Sequence, residues 1–304
     1  MPLGHLAYFI SDTVDSLNLS AFHACYAVGG SRNQPVHPAM MIKVLVYAYA
    51  TGVFSSRKIA RKLHEDIAFR VLAADNFPAH RTIRDFRAQH PGKFTELFTQ
   101  VVRLAREMGL VKLGTIAVDG TKLKANASRN KAMSYARMLT TEAELKAQSS
   151  FTDPDSRIMP RAGGGFDYRY NAQTAVDETA HIIIPAEVVN TSAHVQQLPM
   201  VLGAVQTHAG SQPAQLLADA GYRSEAVMAK LAQAYPDTEL VIALGREDKA
   251  RAAPKDAKRY PHTVAMAAKF QTEQEQKDYR NRKWIAEPPN GWIKNVLVIT
   301  EQWM

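Results

Sequence analysis

The sequence predicts an α+β protein, a helical N-terminal region followed by a mixed-sheet α/β region with flanking helices. Three observations predict it. Apolar residues recur at helical spacing from Pro38 to about Leu110, the period becomes extended at Gly114, and short apolar strands then alternate with helical stretches. The change of period divides the 304 residues into an expected helical domain, 1–112, and an expected sheet-containing domain, 113–304.

In the N-terminal region, Met41, Ile42, Leu45, Val46 and Tyr49 share a face of a helix from Pro38 to Thr51, with proline suited to its first turn. Ser55 or Ser56 caps a second helix, SRKIARKLHED, whose inner positions are Ile59, Ala60 and Leu63. Turn signals at Asp75-Asn76 and Pro78 separate it from a third, HRTIRDFRAQH. There Ile83 and Phe86 face inward, while Arg81, Arg84 and Arg87 recur every three residues on one side. The arrangement looks like a helix-turn-helix. A further helix, FTELFTQVVRLAREMGL, leads to Gly114.

Beyond Gly114, TIAVDGTKLKANA reads as two short strands around a tight turn at Asp119-Gly120. Residues 129–165 are polar and end in GGG, a loop or short helices. YRYNAQTAVD and HIIIPAEVVN read as a strand pair around Asp177-Glu178. A helix through HVQQLPMVLGAVQTHAG, a strand AQLLAD, a helix from about Ser224 and a buried strand ELVIAL complete the pattern.

Composition narrows the function. The chain carries a formal charge of +8, and the excess is local: residues 1–118 hold 14 Lys/Arg against 8 Asp/Glu, residues 119–304 hold 23 against 21. A basic N-terminal region points to a polyanionic partner. No apolar run approaches the roughly 20 residues of a membrane span, so nucleic acid is the expected polyanion rather than a membrane. A single cysteine, Cys25, excludes an intramolecular disulfide and fits a cytoplasmic setting. The ten histidines lack ligand spacing and there is no phosphate-cradling glycine loop, which argues against a zinc module and an ATP requirement.

Asp119 and Asp219 each follow an apolar strand and precede a small residue, in AVDGT and LADAGY. Either alone is also what a turn demands. Together, and joined by a later glutamate, they match what a pair of magnesium ions needs: hard oxygen ligands with positions left for substrate phosphate oxygens. Glu287 lies in DYRNRKWIAEPPNGWIK, where a helix would bring Tyr279, Arg282 and either Arg280 or Lys283 near the acid, or would simply be a solvated charged helix. Pro288 and Pro289 place Glu287 at a kink or boundary of that helix. Lys122 and Lys124 alternate along the strand after Asp119. Lys122 is read as a phosphate contact or as an ordinary solvated lysine.

The strings AVDGTKLKANAS, KAMSYARM, FTDPDSRIM, YNAQTAVD, LADAGYRSE and YRNRKWIAEP, in this order, resemble the bacterial insertion-sequence transposases of the DDE class. The stretch from about His37 to His90, including RTIRDFR, resembles the helical domain that precedes the catalytic domain in one branch of them. The resemblance implies a ribonuclease H-like catalytic domain with Asp119, Asp219 and Glu287 as catalytic and metal-binding acids. It implies that Tyr279, Arg282 and Lys294 form the signature around the glutamate and contact DNA. Two Mg2+ ions, with Mn2+ as a substitute, would serve cleavage and strand transfer. The expected partners are double-stranded DNA, both terminal inverted repeats and target, and a second subunit on that DNA, in a bacterial, nucleoid-associated setting. Arg81, Arg84 and Arg87 are the expected end-reading residues.

The chain departs from the family pattern in three places, one of them a start at Met1 that is shorter than the pattern leads one to expect. Only LTTEAELKAQSS separates SYARM from FTDPDSRIM, where relatives carry a long helical insertion, and the sequence stops 17 residues after Glu287. These departures keep two alternatives open: a catalytically inactive, shortened transposase-derived DNA-binding protein, and a ribonuclease H-like nuclease without joining activity.

Overall fold

A computed structural model describes residues 1–26, 36–125, 132–134, 148–150, 153–160, 164–245 and 256–295. The KAMSYARM motif lies mostly outside the described residues, as do most of the 129–165 stretch and the final nine positions. The described residues fall into two compact units, one within Met1–Leu104 and the other within Ala105–Asn295.

The first unit is helical: α1 (Leu6–Ser16), α2 (Ser20–His23), α3 (Pro38–Ala50), α4 (Ser56–Glu65), α5 (Ile67–Leu72), α6 (His80–Gln89) and α7 (Pro91–Glu107), whose end runs into the second unit. Its core forms around α3, where Met41, Ile42, Val44, Leu45 and Ala48 are buried with Ile59, Leu63, Phe69 and Ile83 from α4, α5 and α6. Between the two expected basic helices the chain inserts α5. Asp66 caps it by accepting the Ala68 amide at 2.9 Å, which ends α4 and turns the chain at once. The break before α6 occurs at Ala74 and Asp75, both at positive φ, with Pro78 following.

The second unit is built on a six-stranded mixed sheet from β1 (Thr115–Lys124), β4 (Arg157–Pro160), β5 (Phe166–Asp177), β6 (Ile183–Val189), β7 (Gln215–Ala218) and β8 (Glu239–Ile242); β2 (Ala132–Ser134) and β3 (Gln148–Ser150) pair separately. β5 lies antiparallel to β1 on one side and to β4 and then β6 on its other side. β7 runs parallel to β1, and β8 parallel to β7. Three antiparallel strands, β6-β5-β1, continued by two parallel ones form the sheet expected of a ribonuclease H-like domain. The parallel joints require crossovers, supplied by α8 (Leu198–Ala209) before β7 and α9 (Glu225–Ala234) before β8. α10 (Pro261–Lys269) and α11 (Glu273–Asn295) follow, α11 packing on β1, β5 and β7.

The central strands read as unbroken apolar runs because both faces are covered: Ile116, Ala117, Val118, Leu216, Leu217 and Ala218 are all fully buried. Asp177, itself buried, accepts the amides of Leu113 and Thr179, both at 2.9 Å, and so ties the entry of β1 to the β5–β6 turn. Glu225 at the start of α9 accepts the His262 and Thr263 amides at 2.7 and 2.9 Å and the Thr263 hydroxyl at 2.6 Å. It thereby caps α10 from another helix.

Two local expectations are corrected. Asp119-Gly120 is not a turn: β1 pairs with β5 without interruption from Ile116 opposite Asp177 to Lys124 opposite Arg169. Nor does α11 end at its prolines. Pro288 and Pro289 lie inside the helix. Pro289 deprives the Ile285 carbonyl of its i+4 amide, and His181 Nδ1 meets that carbonyl at 3.3 Å instead. The Trp284 carbonyl, deprived of its i+4 amide by Pro288, belongs to a residue that is 71% exposed.

Candidate active site

The site begins with a register. Thr115, Ile116 and Ala117 of β1 stand opposite Gln215, Leu216 and Leu217 of β7. Asp219 continues β7 with extended backbone, φ −78° and ψ 173°, so two further steps set Asp119 level with Asp219. Residues level across a parallel pair project to the same face, and adjacent strands lie about 4.8 Å apart. The two carboxylates are thereby neighbours by construction. Asp219 accepts the Gly221 amide at 2.7 Å, an Asx-type turn that fixes its side chain at the strand end.

Asp119 is held from two elements, α11 and β5. Asn290 on α11 donates Nδ2 to Asp119 Oδ2 at 3.3 Å, Arg282 Nη1 stands 4.0 Å from Oδ1, and Thr174 of β5 pairs with Asp119 across the sheet. Burial pushes the Asp119 carboxyl above its ordinary range, Arg282 pulls it back, and the negative charge of Asp219 raises it again. The net shift is upward, with burial its largest cause. Two neighbouring carboxylates so placed fit a hard divalent cation, which takes oxygen ligands.

On the opposite face of β1, Gly120 leaves room for His194. A Cβ at Gly120 would overlap the imidazole and lie 2.7 Å from Gln173 Nε2. His194 Nδ1 meets Gln173 Nε2 at 3.2 Å, and the Gln173 carbonyl accepts the hydroxyl of the fully buried Tyr222. Burial lowers the His194 pKa, Asp219 and Asp119 raise it, and Lys122 lowers it. His194 and Lys122 therefore share the electrostatic environment of the two aspartates. Sequence spacing does not reveal His194, which stands on no element with another candidate ligand. Glycine at 120 is required by close approach, not by a turn.

The helix α11 sorts its residues sharply. Tyr279, Arg282, Ile285, Ala286 and Asn290 are buried along one face, whereas Lys283, Trp284 and Glu287 are exposed. Tyr279 is a packing residue: its ring lies edge-on to Phe270 at 5.4 Å, and the Arg282 guanidinium stacks 5.7 Å from its centre. Glu287 is carried three residues before Asn290, with its side chain in solvent. Among the described residues no three His, Cys, Asp or Glu side chains converge as a metal-binding group. Lys294 lies in the last turn of α11, its side chain outside the described residues.

In the helical unit, Arg81 and Arg84 are exposed on α6, the latter paired with Asp85 at 2.7 Å. Arg87 is engaged inside the bundle, donating to the Tyr49 hydroxyl and the Phe54 carbonyl, both at 3.0 Å. The three-residue spacing carries Arg87 far enough round the helix to meet α3 and the α3–α4 turn.

A family model described as the transposase DDE domain matches residues 112–301, spanning both strand-borne aspartates and α11. The chain belongs to the DDE transposase family. A second model, described as a transposase domain, matches residues 1–89. The insertion-sequence resemblance and its order of domains are thus met, and the chain is a protein of mobile-element transposition. Members of this family generally use divalent metal ions. Among solved structures, the Mos1 strand transfer complex is 11% identical over 93% of this chain and 82% of that chain, with a TM-score of 0.25. The Mos1 transposase paired-end complex with left transposon end is also 11% identical, over 99% and 92%, with a TM-score of 0.25. These likenesses are too distant to carry residues across. No curated protein matches the chain. Among the described residues no helix is long and apolar enough to cross a membrane.

Proposed function

We propose that this transposase binds the terminal inverted repeats of an insertion sequence, cleaves DNA there and joins the freed end to target DNA as a polynucleotidyl transferase. The observation that supports this most directly is the β1–β7 register, which sets Asp119 and Asp219 level on neighbouring parallel strands. Asp119 and Asp219, completed by Glu287 from α11, would hold Mg2+, with Mn2+ able to substitute. Bound there, the metal would activate an attacking hydroxyl and stabilise the attacking and leaving oxygens of an in-line displacement at phosphorus.

The protein's own residues supply the rest. The Gly221 amide orients Asp219, and Asn290 orients Asp119 through Oδ2. Arg282, buried against Tyr279 with its Nε lacking a hydrogen-bond partner among the described residues, presents positive charge to the anionic pocket. In this reading Lys122 and Lys294 would hold DNA phosphates, and Arg81 and Arg84 of the helical domain, 1–112, would contact the element end as a homodimer assembles on DNA. Glu287 is exposed, so its approach to the aspartates accompanies metal or DNA binding in this scheme.

The test is Mg2+-dependent nicking of duplexes carrying the element's own ends. Asp119→Asn and Asp219→Asn should each abolish it, and intact cleavage by folded Asp119→Asn overturns the proposal. A second reading, a DNA-binding protein that has lost catalysis, draws on the exposed Glu287 carboxylate. It requires specific end binding by the wild-type chain with no cleavage in Mg2+ or Mn2+. Cleavage without joined products would point to a nuclease instead.

A further inference from the structure

We infer that Thr174 and Asn290 form a two-residue clasp that orients Asp119 for cation binding and sets the position of α11 over the sheet. Neither residue stands out in the sequence, and the inference rests on Asp119 being a metal ligand as proposed above. Both side chains are buried, Asn290 to 4% exposure and Thr174 to 1%. An ionised carboxylate only accepts hydrogen bonds, so the Asn290 amide must turn Nδ2 towards Asp119 Oδ2, at 3.3 Å. Its Oδ1 then needs a donor. The Thr174 hydroxyl supplies it at 3.1 Å, a shorter contact than its alternative, the Asp119 carbonyl at 3.4 Å. The carboxylate thus fixes the sense of the amide, and the Thr174 hydroxyl anchors the amide where it holds the carboxylate.

Two consequences follow from the geometry. Asn290 engages Oδ2, whereas Oδ1 faces Arg282 Nη1 at 4.0 Å, a distance beyond hydrogen-bond reach. The clasp also spans three elements, since Thr174 is on β5, Asp119 on β1 and Asn290 on α11. Glu287 lies three residues before Asn290 on the same helix, so the bond that orients Asp119 also sets where the third acid is carried. Thr174 and Asn290 are positioning residues.

The experiment is Mn2+ binding to the full chain, followed by the electron paramagnetic resonance of free Mn2+, for wild type, Asp119→Asn, Thr174→Val, Thr174→Ser, Asn290→Leu and the Thr174→Val/Asn290→Leu double variant, with melting curves for each. Thr174→Val is nearly isosteric and guards against a misfolded Asn290→Leu. Loss of an outer partner of a metal ligand typically lowers affinity about 10- to 100-fold, and Thr174→Val should fall in the lower part of that range. Thr174→Ser, which keeps the hydroxyl, should bind more tightly than Thr174→Val, and the double variant should be no weaker than Asn290→Leu alone, because the two act as one unit. Wild-type affinity in folded Thr174→Val overturns the clasp, as does equal weakening by serine and valine. If Asp119→Asn binds Mn2+ as wild type does, the metal site itself is wrong and the clasp falls with it; if only the clasp variants are silent, the metal site stands.

Discussion

The two aspartates and the glutamate are held by different means. Asp119 and Asp219 stand on neighbouring strands whose pairing makes them level, one anchored by Asn290 and the other by the Gly221 amide. Glu287 stands on a helix that buries Arg282, Ala286 and Asn290 against the sheet and leaves the glutamate in solvent. A sheet places a side chain through backbone hydrogen bonds that are indifferent to what the side chain does. A helix places it through the face it buries, and a residue beside that face is free until something draws it in. In the proposed scheme the strand acids are therefore a preorganised pair, and the helix acid is the component that responds.

The sharpest way to break that contrast is to neutralise the acids one at a time. Asp119→Asn and Asp219→Asn should each abolish metal binding by the DNA-free protein and reduce cleavage by more than about a hundredfold, beyond the range for outer-shell partners. Glu287→Gln should reduce cleavage comparably while leaving Mn2+ affinity of the DNA-free protein within about threefold. Equal loss of metal affinity in all three variants would show that the glutamate is as preorganised as the aspartates.

A smaller effect probes how tightly the strand side is packed. Gly120→Ala places a Cβ against the His194 ring and should destabilise the fold by about 1 to 3 kcal/mol in urea unfolding, the range for overpacking. His194→Ala should restore part of that loss. An alanine variant as stable as wild type would mean that His194 moves freely.

The α9–α10 clasp offers a pH test away from the site. Burial raises the Glu225 carboxyl, but the Thr263 hydroxyl and the His262 and Thr263 amides outweigh it and hold the folded pKa below the ordinary value. Its stabilisation is therefore fully present above the ordinary carboxylate range and is lost as pH falls through the depressed folded value. Glu225→Gln should cost about 1 kcal/mol at neutral pH and flatten the corresponding part of the acid limb. An unchanged stability-against-pH curve would refute this role.

The smallest expected effect lies in the helical unit. Arg81→Ala and Arg84→Ala, if each removes a phosphate contact, should each reduce the slope of log affinity against log salt by about one. Arg87→Ala should instead lower the melting temperature, because its guanidinium ties α6 to Tyr49 and Phe54. A salt slope that responds to Arg87 and not to Arg81 would reverse the assignment of faces.

Where a segment's own pattern and its tertiary setting agree, the fold was legible: the β5–β6 pair, α8, β7, β8, and Ser224 as the residue before α9. Asp119-Gly120 was misleading because the same dipeptide serves a turn and a close approach, and only the β1–β5 register decides between them. α5 was missed because six residues give too little period to read. His194 carried no signal, its role arising from contact with Gly120 and Gln173 across the sheet. Asn290 did carry one, since 279, 282, 286 and 290 follow helical spacing along the face that holds Arg282. The adjoining prolines pointed instead to a kink or boundary of the helix.

Those prolines have a consequence for how this chain can vary in descent. With the Ile285 carbonyl engaged by His181 and the Asn290 amide by Asp119 and Thr174, α11 is fastened to the sheet on both sides of Pro288-Pro289. A residue inserted or deleted between these fastenings would turn one end of the helix by about 100° relative to the other. Substitutions within that stretch are repairable one by one, whereas a change of its length is not. Functional relatives that retain both fastenings should therefore differ between Ile285 and Asn290 in residue type and never in residue number.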